Sequence, residues 1–137
     1  GMIGKRLLLK VSDIMRTGNK NPVVKETAPV REVLSVMTST KMGAASVINK
    51  KGKITGYFTD GDLRRKIRAG MDLLDKPITA VMTGNPVTLN IDDPAVKAAR
   101  LIKEKNFDNI PVIDSKRRPV GIVDERDLLA HGLLEED

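Results

Sequence analysis

The chain has 137 residues, no cysteine, a single histidine, 40% hydrophobic and 2% aromatic content, and a formal net charge of +6. These values exclude disulfides, thiolate zinc sites and cysteine nucleophiles, and they argue against an aromatic stacking surface for single-stranded nucleic acid. No apolar run approaches the roughly 20 residues of a bilayer crossing, so a cytoplasmic protein with neither membrane nor nucleic-acid partners is expected. The charge is unevenly placed: residues 1–70 carry 15 Lys/Arg against 5 Asp/Glu, and residues 71–137 carry 9 against 13. A basic first half of this kind points to an anionic partner there.

In chain order, Gly1-Met2 reads as a processing scar. Val23-Val24, after Pro22, predicts a short strand, and Val30, Val33, Leu34 and Met37 recur at helical spacing. Ala44 to Ile48 and Ile54 to Phe58, joined by Asn49-Lys50-Lys51-Gly52, read as a hairpin, followed by a helix over about 60–69. The same succession then returns. Val87 to Leu89 predicts a strand, and Ala95, Ala98, Ala99 and Ile102 a helix, with Asp93 as N-cap and Pro94 in its first turn. Ile110 to Ile113 and Val120 to Val123 form a second hairpin around residues 115–118, and a last helix covers about 124–133.

Residues 29–63 align with 94–128 at a constant offset of 65 without a gap, matching Pro29 to Pro94, Val47-Ile48 to Val112-Ile113, Gly56 to Gly121 and Asp62-Leu63 to Asp127-Leu128. Upstream, Asp13-Ile14-Met15 matches Ala80-Val81-Met82, and Pro22-Val23 matches Pro86-Val87. The expectation is an α+β fold of two β-α-β-β-α repeats, 11–71 and 72–137. Each has too little sheet to bury both its helices, so the two pack around a pseudo-twofold axis with a cleft between them.

Thr59 and Asp62 carry two readings. Thr-x-x-Asp is a helix capping pattern, and it also sets a hydroxyl and free amides toward a phosphate and a carboxylate toward a vicinal diol. Together with Asp13-Ile14-Met15 and Asn109-Ile110-Pro111-Val112, the run Gly56-Tyr57-Phe58-Thr59-Asp60-Gly61-Asp62 resembles the CBS family over residues 11–133. The resemblance implies a disc-like module that binds nucleotides between its repeats and regulates an attached enzyme or transporter. It also implies that two such pairs stack as a homodimer. It gives Thr59 the phosphate and Asp62 and Asp127 the ribose, with Ile110 and Pro111 on the base-facing wall.

The second copy departs from the pattern. Asp124 stands where the hydroxyl belongs, which predicts a weak or empty second site. The first copy departs at Ala44-Ala45-Ser46-Val47, which lacks the proline of Ile110-Pro111-Val112. Three segments, namely Leu7 to Met15, Phe58 to Arg65 and Asp75 to Met82, are similar to the C-terminal CBS pair of bacterial arabinose-5-phosphate isomerases, which make the precursor of Kdo, the acidic sugar of lipopolysaccharide. The resemblance implies that Ile3 to Lys10 is the tail of an interdomain linker from a sugar isomerase domain.

No cofactor is expected. CMP-Kdo is the first candidate effector, its charges answered by Lys41, Arg64 and Arg65 on the basic half. AMP, ADP or ATP are the family alternative. Arg64 and Arg65 also read as an ordinary solvated helix face, and a pure oligomerisation module with vestigial sites stays open. The chain lacks a G-x-G-x-x-G, a Walker motif and a G-x-S-x-G elbow, so catalysis by this chain is not expected. His131 reads as a helix-end residue rather than a metal ligand.

Overall fold

The computed structural model describes residue 4 and residues 8–135; Gly1-Met2, read above as a processing scar, half of the expected linker tail and residues 136–137 lie outside the described residues. Twelve elements follow: α1 (Val11–Ile14), β1 (Val23–Lys25), α2 (Val30–Thr40), β2 (Ala44–Ile48), β3 (Ile54–Thr59), α3 (Asp60–Arg68), β4 (Thr83–Gly84), β5 (Leu89–Asn90), α4 (Ala95–Lys105), β6 (Asn109–Ile113), β7 (Pro119–Asp124) and α5 (Glu125–Ala130). They form two sheets, ordered β1-β2-β3-β4 and β5-β6-β7, in which β1 and β5 run parallel to their neighbours and the hairpins are antiparallel.

The repeat extends to fine detail. Both hairpins shift register at matching places, Val47/Ile48 and Val112/Ile113. Both tips are organised by one acidic or amide side chain: Asn49 Oδ1 accepts from the amides of Lys51 and Lys53, and Asp114 Oδ1 accepts from those of Lys116 and Arg118. Both tips need a left-handed residue, Gly52 at φ 78° and Arg117 at φ 61°. Both helices α2 and α4 likewise end in one, Lys41 at 57° and Asn106 at 56°.

The two halves exchange their entry segments. Val11 and Ile14 of α1 are buried with Leu89, Ile102, Val112, Val123 and Leu128, in the core of the second repeat. Leu73, Ile78 and Val81 are buried with Val33, Val47 and Phe58, in the core of the first. The strand pairings agree, since β4 lies along β3 and Arg16 bridges Ile122 of β7. Gly56 and Gly121 are thereby explained: a Cβ at either would collide with the thioether of Met82 or Met15. Neither core closes without a segment from the other half.

Between the sheets a third cluster of Met42, Ala44, Tyr57 and Ile122 forms the seam. Tyr57 Oη donates to Asn109 Oδ1 at 2.5 Å, and Asn109 Nδ2 donates to the Met42 carbonyl at 2.8 Å. Burial, reinforced by Asp124 and Asp108, pushes the Tyr57 phenol far above its ordinary range and keeps it a neutral donor.

Three local expectations are corrected. Val87 is not in a strand: Asn85 is left-handed at φ 49°, Pro86 has no amide to pair, and the strand begins at Leu89. The N-cap of α4 is Pro94, not Asp93, because Ala95 donates to the Leu9 carbonyl brought in by the exchanged segment. Asp93 instead accepts from the Asn90 amide at 2.8 Å and from Lys97 Nζ at 3.2 Å. The last helix stops at Ala130, where Gly132 turns left-handed at φ 69° and Leu133 donates to the Leu128 carbonyl.

Two predictions follow from the seam and the hairpin tips. Tyr57→Phe leaves the Asn109 amide oxygen buried and unpaired, so it should lower unfolding free energy by about 1–3 kcal/mol in urea titration. An unchanged midpoint would remove the seam from the stability of the fold. The Asp114 carboxyl is held below its ordinary value of 3.8, chiefly by the Arg118 amide. A carboxyl lowered in the folded state stabilises above its unfolded pKa and loses that contribution as pH falls through the folded one. Amide resonances of Lys116 and Arg118 should therefore move as pH falls below the ordinary carboxyl value of 3.8, and those of Lys51 and Lys53, capped by Asn49, should not.

Candidate functional site

An open cleft of about 600 Å³ lies where the first repeat's α3 begins and faces the second repeat, a size that suits a small-molecule ligand. One end is built by α3. β3 delivers Thr59 in extended geometry, φ −125° and ψ 164°, and the chain turns at once into a nine-residue helix. Thr59 Oγ1 accepts from the Asp62 amide at 3.2 Å, while Asp62 Oδ2 accepts from the Thr59 amide and hydroxyl, each at 3.0 Å. The reciprocal cap is therefore real, and it also fixes both side chains on the cleft wall.

Arg64 and Arg65 line the same end. Arg65 folds back to donate to Asp62 Oδ1, over Gly61, where a side chain would press on its guanidinium. Asp62 is thus matched in charge within its own helix, and Arg64 is the cation the cap does not use. Lys105 and Asp108 add one charge of each sign. The first turn of α3, with its amides toward the cleft, supplies further positive potential.

The lining outside α3 is mixed. Pro86, Val87, Phe107 and Pro111 are its apolar members, and Val87 is 42% exposed between half-buried neighbours. Asn85, Asn106 and Asn109 add amides, the last already committed to Tyr57 and Met42. A ligand with an anionic head and a flat or apolar body matches this mixture of groups.

Of the residues expected at the site, Thr59, Asp62, Arg64, Arg65 and Pro111 come together in this cleft. Ile110 alternates to the opposite face of β6 and is fully buried in the second core. Lys41 stands in a separate groove between α2 and α3 with Leu34, Met37, Thr38, Asp60 and Leu63. Asp127 lies at the start of α5 on the opposite cleft, where its carboxylate takes the Arg16 guanidinium. His131 Nδ1 lies 2.9 Å from the Asp127 carbonyl at the end of α5. Among the described residues no three His, Asp or Glu side chains converge as metal ligands.

The sequence reading missed Tyr57, Asn85, Phe107 and Asn109. Phe107 follows the predicted helix without a motif of its own, and Asn85 follows Gly84 in a stretch without periodicity. The one usable signal was the asymmetry Ala44/Asn109, since a polar residue where its repeat mate is apolar marks a seam position.

A family model described as CBS domain matches residues 11–69 and 78–133. Arabinose 5-phosphate isomerase KdsD of Pseudomonas aeruginosa is 36% identical over 134 residues, covering 98% of this chain and 41% of that protein. KdsD of Escherichia coli K12 is 35% identical, with 98% and 40% covered. The chain thus spans about two fifths of the length of these relatives. Among solved structures, CBSX2 in complex with AMP superposes with a TM-score of 0.76 at 25% identity, covering 90% of this chain and 96% of that one. The cytosolic domain of the Mg2+ channel MgtE in complex with ATP gives 0.72 at 25%, with 88% and 48% covered. The CBS domain pair of protein MJ0100 gives 0.78 at 24% identity, covering 89% and 94%, a likeness of fold. The exchanged repeats, the paired hairpins and the cleft at Thr59 and Asp62 are those of a tandem pair, and the chain belongs to the CBS-domain family.

Proposed function

We propose that this CBS pair is a regulatory sensor that binds a nucleotide or nucleotide sugar in the cleft at Thr59, Asp62, Arg64 and Arg65. The observation that carries this reading is the composition of the cleft. A capped helix start with an uncommitted arginine shares it with the apolar side chains of Pro86, Val87, Phe107 and Pro111. In this arrangement Thr59 and the first turn of α3 meet phosphate, Arg64 adds a charge-assisted bond, and Asp62 exchanges its Arg65 partner for ribose hydroxyls. The base or sugar body rests on the apolar side chains.

The likeness to KdsD across almost the whole chain supports a place in an arabinose-5-phosphate isomerase, in the cytoplasm and as a homodimer, with the isomerase chemistry outside this chain. CMP-Kdo is then the first candidate effector. It carries a ribose, a phosphate and a carboxylate, and the basic first half of the chain favours such an anion. AMP and ATP are the alternative, supported by the AMP in CBSX2 and the ATP in the MgtE domain.

Calorimetric titration with CMP-Kdo, CMP, AMP, ADP and ATP tests the reading. One of them should bind, and Arg64→Ala should weaken it about tenfold at unchanged Tm, because Arg64 takes no part in the cap. Asp62→Ala should weaken it as well, at a cost of about 1 kcal/mol in stability from the lost cap. If none of the five binds at millimolar concentration, the module is an oligomerisation scaffold. Duplex DNA at low salt should give no association; salt-dependent binding would instead make the basic half a nucleic-acid surface.

A further inference from the structure

The cleft related to the first by the repeat is filled by the chain's own side chains. Arg16 enters it from the exchanged segment before β1, held by a reciprocal pair of backbone hydrogen bonds with Ile122 at 2.8 and 3.0 Å. Its Nε lies 3.0 Å from Asp127 Oδ1 and 3.1 Å from Oδ2, with the two side chains 25% and 16% exposed. Its Nη1 lies 3.6 Å from the Met42 sulfur, and Nη2 of Arg126 lies 3.7 Å from the same sulfur. Arg126 also donates to Asp124 Oδ1 at 2.7 Å and to the Lys41 carbonyl at 3.0 Å. Both carboxylates at the start of α5 are thus matched by a guanidinium, one of them delivered from more than a hundred residues away.

Among the described residues two buried side-chain polar atoms stand unpaired. The Ser46 hydroxyl is completely buried with no partner, and the Asn21 amide oxygen is buried without one. Ser46 is the repeat mate of Pro111, and Asn21, which precedes the Pro22-Val23 match, is that of Asn85; both counterparts line the open cleft. The positions that line the open cleft are thus covered on this side. Asp124 is not the obstacle to an anion, since Arg126 neutralises it. The obstacle is occupancy, because the Arg16 guanidinium already holds the Asp127 carboxylate.

We propose that the second cleft is a guanidinium site occupied in cis by Arg16, so that anionic effectors enter this module only at the Thr59 and Asp62 cleft. The exclusion of effectors rests on the first cleft being their site, as proposed above; the occupation by Arg16 does not. A planar guanidinium suits the position because its Nε–H is shared between both carboxylate oxygens while Nη1 donates to the Met42 sulfur, a fixed set of edge donors that an ammonium does not reproduce.

Arg16→Ala should expose the vacancy. It leaves Asp127 poorly solvated and unmatched, so Tm should fall by about 5 °C. Methylguanidinium at low millimolar concentration should recover most of that loss, and methylammonium at the same ionic strength should not. Asp127→Asn placed on Arg16→Ala should abolish the recovery. Equal effects of the two cations, or equal recovery in wild type, would overturn the occupancy. Should Arg16→Ala fail to fold, the wild-type Arg16 Nε–H resonance decides: slow exchange with solvent at neutral pH supports the pairing, and fast exchange overturns it. Calorimetry with AMP on the wild type reads the exclusion separately. One site per chain supports it and two overturn it, whereas absence of AMP binding fails the reading of the first cleft for AMP and leaves the methylguanidinium result to decide the second.

Discussion

The thioethers of Met15 and Met82, each pressed onto a glycine of the opposite repeat, hold the molecule in its register. Each methionine ends a segment that begins one repeat in sequence and completes the core of the other in space. The consequence is mechanical: the halves cannot separate without opening both cores, since Val11 and Ile14 would leave one and Leu73, Ile78 and Val81 the other. Burial of about five aliphatic side chains at roughly 1.5–3 kcal/mol each makes that opening costly beside the stability of a domain this size. The clefts inherit their shape from this constraint, because β4 and the segment around Arg16 are the rails that set the distance between sheets.

Within that frame, a few substitutions between otherwise equivalent positions decide what each cleft becomes. At the seam the pair Tyr57 and Asn109 faces the pair Ile122 and Ala44. The polar pair makes a buried hydrogen bond and lies on the open cleft, and the apolar pair packs against Met42 beside the filled one. At the helix starts, Thr59 is matched by Asp124. A hydroxyl caps α3 without charge, whereas a carboxylate requires a cation, and Arg126 supplies it. At the entry segments Arg16 has Thr83 as its counterpart, and Thr83 only lines the open cleft. One cleft is open, the other closed by ion pairs, although the two hairpins share one register.

The repeat, the element order, the hairpins and the inter-repeat cleft were legible in the sequence because they follow from local periodicity and a gapless offset. Thr59 and Asp62 were legible for the same reason, their cap being a contact within four residues. The exchange was visible only as a match between Asp13-Ile14-Met15 and Ala80-Val81-Met82; nothing in either tripeptide says which core it completes. Arg16 was illegible altogether. Its partner is 111 positions away, and in sequence it is one more cation in a basic half. Val87 misled for a physical reason: an apolar residue before Leu89 looks like strand, but the proline before it and the left-handed Asn85 hold it at the cleft mouth.

The asymmetry of the clefts continues into the helices that back them. α5 is anchored by the fully buried Leu128, with Leu133 and Leu134 packed against the same core. α3 buries no residue completely, and its Ile67 is 57% exposed. Elements with few buried apolar contacts are the ones that move at low free-energy cost, and a ligand shifts a conformation only by as much as it binds one state better than the other. A ligand at the start of α3 competes with the Arg65 contact to Asp62 and with little else. A ligand at the start of α5 has to displace a part-buried ion pair on a helix fixed to the core. The open cleft therefore adjoins the helix with the less buried packing, and the filled cleft adjoins the one whose packing on the core is the more extensive.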